Sequence, residues 1–189
     1  ETAHTVDLTL HRHTEAGLHW SLGTFYNDFS RYIFAAATGL EDEGLPVFQY
    51  TQGDARFHGF EGEIVLPVVT GPAGRFEVRL AADYVRGRLR DAAPGLADLP
   101  RMPPLRYGLE LHYERDRLHL GLRTFVHDRQ RKVAPQERST DGYTLMDADV
   151  SYRFTLGGGA TLLAFLRGSN LLDREARRHT SPLKEVAPL

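Results

Sequence analysis

Arg75-Phe76-Glu77-Val78-Arg79-Leu80-Ala81-Ala82-Asp83-Tyr84-Val85-Arg86-Gly87-Arg88 decides the fold of this chain. Phe76, Val78, Leu80, Ala82 and Tyr84 fall on one parity, while Glu77, Arg79, Ala81, Asp83 and Val85 fall on the other. Strand side chains point to opposite faces with period two, so this segment has one apolar face and one face bearing fixed charge. A soluble sandwich would hide the apolar face in its core. A transmembrane barrel turns it to lipid and keeps the charged face in a polar lumen.

The same beat recurs along the chain. Strands are predicted near 3–12, 16–28, 55–66, 75–87, 105–114, 117–127, 143–154 and 160–170, each about 10 to 13 residues long. That length crosses a bilayer when the strand is tilted, whereas strands of soluble domains more often run about 5 to 6 residues. Short connections near 13–15, 67–74, 115–116 and 156–159 alternate with long ones at 29–54, 88–104, 128–142 and from 171 onward. Short periplasmic turns alternating with long extracellular loops are the habit of outer-membrane barrels. The apolar parity carries Leu18, Trp20, Leu22 and Tyr26, then Tyr107, Leu109, Leu111 and Tyr113, then Leu118, Leu120, Leu122 and Val126, then Met146, Ala148, Val150, Tyr152 and Phe154. Aromatics near strand ends with aliphatics between them predict interfacial girdles. The expected class is therefore all-β, an antiparallel transmembrane β-barrel portion of about eight strands.

Composition limits the alternatives. With 23 basic against 25 acidic residues the chain has no basic field for a nucleic acid. It has no cysteine, which removes disulfides and thiolate metal sites. No apolar run approaches the roughly 20 residues of a membrane helix. Glu1 stands just ahead of a strand-like stretch with no leader before it, and Val186-Ala187-Pro188-Leu189 stops in a loop-like stretch, so both ends read as cut.

Several motifs carry a resemblance. Phe165-Leu166-Arg167-Gly168-Ser169-Asn170-Leu171-Leu172-Asp173 resembles a late barrel strand and loop of TonB-dependent outer-membrane receptors, with its Gly-x-Asn-Leu-x-Asp pattern. Gly59-Phe60-Glu61-Gly62-Glu63 is similar to that family's Gly-x-Glu-x-Glu strand. Leu99-Pro100-Arg101-Met102-Pro103-Pro104-Leu105-Arg106 resembles its Pro-rich loop entering a strand, and Tyr143 to Ala148 its strand start after a long outer loop. The tail from Asn170 to Leu189 resembles the zinc-uptake branch. The resemblance spans nearly the whole chain and implies that residues 1–189 are a C-terminal portion of a receptor barrel of about 22 strands, without plug, earlier strands or final strand. It implies outer-membrane lipid around the chain, import of a metal ion or metal chelate (zinc first, an iron siderophore next), and coupling to TonB through the missing N-terminal part. The transported ligand is cargo, and no resident cofactor is expected.

Nine histidines are the one compositional oddity, and imidazole suits zinc, copper or nickel. His179, in the tail that resembles the zinc branch, and His127 and His19, both on the inferred lumen parity, are the candidate metal ligands. Lumen histidines that are simply solvated are the plain alternative. His11 and His13 share one face of their strand. Glu61 and Glu63 could form an acid and base pair, but a charge network with Arg79 on the next strand is the commoner arrangement, and Asp147, Asp149 and Arg153 read the same way. Glu41-Asp42-Glu43 is read as a solvated loop that could draw cations to the outer mouth. Tyr32-Ile33-Phe34 is apolar where a loop should be polar, and is expected to pack over the barrel mouth or touch ligand. No Gly-x-Ser-x-Gly, phosphate loop or His-Glu-x-x-His is present, so no enzyme is expected. Three other classes stay open: a small closed eight-stranded barrel with an adhesin or structural role, in which the first and last strands pair; an outer-membrane barrel enzyme; and a soluble β-sandwich carrier.

Overall fold

The computed structural model describes residues 1–93 and 95–184. Eight antiparallel strands form one sheet in chain order: β1 (Thr2–His13), β2 (His19–Asp42), β3 (Leu45–Gly71), β4 (Gly74–Leu89), β5 (Arg106–Arg115), β6 (Leu118–His127), β7 (Tyr143–Thr155) and β8 (Thr161–Gly168). Each strand pairs with the next one, as in an up-and-down barrel wall. The Glu185 to Leu189 part of the tail lies outside the described residues.

Register sorts the faces row by row. Leu10, Leu22, Gly62, Ala82, Tyr107, Val126 and Thr144 are successive ladder partners across seven strands. The adjacent row is Thr9, Gly23, Glu61, Asp83, Arg106, His127 and Tyr143. Because successive residues point to opposite sides, the first row lies on an apolar outer face and the second on a polar inner face. The outer face stays uncovered: Val6, Leu8 and Leu10 are 70%, 56% and 49% exposed. In water that would be an aggregation surface, whereas hydrocarbon solvates it. The described residues hold no second sheet to cover it, which removes the sandwich. β1 and β8 share no ladder, so the small closed barrel is also overturned.

The first long loop is a correction. Residues 29–42 and 45–54 continue β2 and β3 as one tall hairpin, closed at Glu43-Gly44 with Asp42 opposite Leu45. Both turn residues have positive φ, 48° and 80°, which is the two-residue turn that matches strand twist. Two register shifts, between Phe29 and Tyr32 and between Ala37 and Glu41, break the alternation and hide the strand from a period-two reading. The first shift turns Tyr32 to the same side as Phe29, where both rings meet Phe57 edge-on at 4.9 and 5.4 Å between centroids. Smaller corrections follow the same physics. A turn at Thr14 to Gly17 delays β2 to His19. β3 runs on to Gly71 because a shift between Pro67 and Val69 absorbs the proline that cannot donate to the ladder.

On the inner face, aromatics cover glycines across the ladder: Phe25 opposite Gly59, Phe57 opposite Gly87 and Phe125 opposite Gly108. Each ring occupies the space that a β-carbon on its glycine would fill. Gly59 is the tightest, since a methyl there would also meet the Tyr84 carbonyl of the backbone. Gly59→Ala is expected to destabilise the wall by about 1 to 3 kcal/mol, read as a lower midpoint of urea unfolding in detergent or lipid. An unchanged midpoint would show that the Phe25 ring and the backbone at Tyr84 both give way freely.

Candidate outer vestibule

Charged inner-face residues pair across strands. Glu63 meets Arg79 at 3.3 Å and His19 at 3.6 Å, and Asp83 meets Arg106 at 2.7 Å. Glu110 bonds both Arg123 (3.2 Å) and His112 (3.1 Å), while His119 meets Asp149 at 3.4 Å. Of the network expected from the sequence, Glu63 with Arg79 is present, while Glu61 makes no ion pair among the described residues. Asp147 and Asp149 diverge instead: Asp147 accepts from the Asn170 amide at 2.9 Å and Asp149 faces His119, so neither is bonded to Arg153. These partly exposed pairs contribute little stability individually. Their effect is to keep one face of the wall polar and wettable.

At the end opposite the short turns, three connections far apart in sequence converge on Glu137. Its Oε1 accepts from the Arg101 amide (2.9 Å), Lys184 Nζ (2.7 Å) and His179 Nε2 (3.2 Å), and its Oε2 from the Ala134 amide (3.0 Å). The side chain is only 9% exposed. Burial pushes its carboxyl up, yet the hydrogen bonds from His179, Lys184 and the two amides outweigh burial and hold it at about 2, against an ordinary 4.5. His179 is more deeply buried still. Its Nδ1 meets the Thr140 hydroxyl at 3.0 Å, and the Lys184 ammonium lies 3.3 Å from both ring nitrogens. Gln130 adds a second tie, donating to the Met102 carbonyl at 2.8 Å, while the Arg101 guanidinium sits 4.8 Å over the Phe48 ring of the tall hairpin.

Beneath this knot lies a cavity of about 440 Å³, lined among others by Arg106, Arg123, His127, Asp147, Arg178 and His179. His127 and His179 are thus brought to one cavity although 52 positions separate them in sequence. His127 stacks on Tyr143 with ring centroids 4.4 Å apart, and its nitrogens make no hydrogen bond among the described residues. His19 is not brought there. It lies by the short turns, stacked on His13 at 4.6 Å and facing Glu63. Among the described residues no three His, Asp or Glu side chains stand close enough to hold a metal by themselves. Tyr32 and Phe34 pack inward around Ala55, Phe57 and Leu99, below the outer rim, while Ile33 points out. Glu41 to Glu43 sit exposed at the hairpin tip.

Sequence reasoning missed Glu137, Thr140, Gln130 and Lys184. Glu137 stands 36 residues from Arg101 and 47 from Lys184, with no local spacing to mark it.

A family model described as TonB dependent receptor-like, beta-barrel, matches residues 1–171. Among solved structures the chain is similar to one titled "Copper transporter OprC", with a TM-score of 0.78 and 19% identity. The match covers 99% of this chain and 29% of that one, so the chain spans under a third of that protein's length. At this identity the likeness speaks for the fold.

Proposed function

Because the chain belongs to the TonB-dependent receptor-like β-barrel family of the bacterial outer membrane, we propose that it forms wall and outer vestibule of a receptor that imports a metal ion or metal chelate. Zinc is the leading cargo and an iron siderophore the next, with energy delivered by TonB through segments other than this one. The observation that carries this reading is the cavity at the outer mouth, where His127 and His179 meet acidic and guanidinium side chains under three docked connections. Imidazole and carboxylate are zinc ligands, and His127 is the imidazole of this cavity with no hydrogen bond to give up. His179 is committed to Glu137 and Thr140, so it serves first to hold the roof and binds metal only if that roof opens. Ligands beyond His127 would come from the rest of the receptor. A chelate would use the same cavity differently, pairing its anionic groups with Arg106, Arg123 and Arg178.

In the full-length receptor, His127→Ala is expected to lower zinc uptake by about tenfold or more, which corresponds to about 1.4 kcal/mol or more of lost binding free energy. His179→Gln should lower it less, because an amide can keep hydrogen bonds to Glu137 and Thr140. Growth under zinc limitation and under iron limitation with added siderophores reads the two cargoes separately. A defect confined to iron limitation would move the cargo to the siderophore class. No defect under either would overturn the vestibule as the binding site.

A further inference from the structure

Above the apolar band, the outer face changes character within two steps along β3 and β4. Phe60 and Tyr84 are ladder partners on that face, with ring centroids 6.2 Å apart. The next outward pair is His58 with Arg86, and the one after it is Arg56 with Arg88. Two residues along a strand advance about 6.6 Å, which puts these basic side chains about 7 and 13 Å beyond the aromatic pair. Aromatic rings mark the interface of a membrane-spanning wall. The basic rows therefore stand where headgroups begin, pointing away from the lumen.

Like charges directly opposite each other across a ladder are destabilising, and Arg56 opposite Arg88 is such a pair. The carboxylates nearby are already engaged. Asp98 takes Arg86 at 2.9 Å and reaches Arg88 at 3.8 Å. Asp28, opposite Arg56 on the β2 side, is turned to Arg90 at 3.3 Å, and Asp54 also bonds Arg90. Arg56 is exposed and makes no ion pair among the described residues. Lys132, from the 128–142 connection, comes to the same level, with Nζ 2.8 Å from the Tyr84 hydroxyl. His4 extends the Arg56 row across Asp28.

We propose that this ridge of Arg56, His58, Arg86, Arg88 and Lys132 binds the phosphate of an anionic glycolipid in the outer leaflet. The acyl chains of that lipid run down the apolar face past Phe60 and Leu80, and its phosphate supplies counter-charge to Arg56, which has none, and to Arg86 and Arg88, which share the single carboxylate of Asp98. Guanidinium groups bind phosphate by two parallel hydrogen bonds, which makes Arg56 and Arg88 the principal anchors. The lysine brings the lipid into contact with the connection that carries Glu137.

The test uses the full-length receptor, transferred to phosphatidylcholine bilayers that contain lipid A or its dephosphorylated form, with retained lipid measured by native mass spectrometry. Wild type is expected to retain the phosphorylated form in preference by about tenfold, and Arg56→Gln with Arg88→Gln should abolish that preference. Lys132→Gln, outside the strands, should weaken it and serves if the double variant fails to assemble. Equal retention of both forms by wild type would overturn the proposal. So would displacement by excess inorganic phosphate, which would make the ridge a free-phosphate site.

Discussion

Glu137→Gln is expected to free the three outer connections from one another while leaving the strands intact. The carboxylate is nearly buried and takes two ammonium or imidazole donors and two backbone amides. Glutamine keeps the shape but removes the charge and turns one acceptor into a donor facing Lys184. A carboxyl held at about 2 rather than 4.5 corresponds to roughly 3 kcal/mol of docking free energy at 1.36 kcal/mol per unit. The sign follows from the depressed value: the unfolded group takes up a proton more readily than the folded one. That contribution is therefore fully present above 4.5 and disappears as pH falls from there toward 2. Hydrogen exchange of the amides in 128–142 and 171–184 should accelerate by about a hundredfold in the variant at neutral pH. Wild type should show part of this loosening at pH 3, where the docked carboxyl is still mostly ionised, and the variant little further change. Exchange confined to the wild-type rate in the variant would mean that packing, not this carboxylate, docks the connections.

Leu109→Arg is the second large effect. Leu109 lies on the outer face with Leu111, between Tyr107 and Tyr113, and is 38% exposed. Its ladder partners are Leu80 and Thr124, so nothing there can pair a guanidinium. An arginine at this depth of a barrel's lipid face costs about 2 to 4 kcal/mol. The cost should appear as a lower midpoint of denaturant unfolding in lipid vesicles. Arginine at Gly108, one residue away, would instead face the lumen and clash with Phe125, so the two positions separate a solvation cost from a packing cost. A neutral outcome for Leu109→Arg would contradict a lipid-facing wall.

Two kinds of error mark the sequence reading of the fold. β4 through β7 were legible because their inward and outward residues differ in kind at most steps, as with Leu109 and Leu111 against Glu110 and His112. The upper part of β2 and β3 was not, because bulges near Arg31 and Thr38 change parity and an apolar, alanine-rich run replaces alternation. A Glu-Gly turn inside an acidic run also lacks the Asn-Gly signal that usually announces a hairpin.

The site divides in the same way. The chain's own order of residues determined which side of the wall each side chain faces, since a period of two is a property of one strand and needs no partner. It therefore determined the polar lumen, the apolar belt and the inward placement of His19 and His127. Convergence is different in kind. That His127 and His179 share a cavity while His19 stands at the far end, and that Arg101, Ala134, His179 and Lys184 all close on Glu137, depends on how three connections fold over the rim. Loops have no periodicity to read, and a buried carboxylate finds its donors by the geometry of packing, which only the tertiary structure supplies.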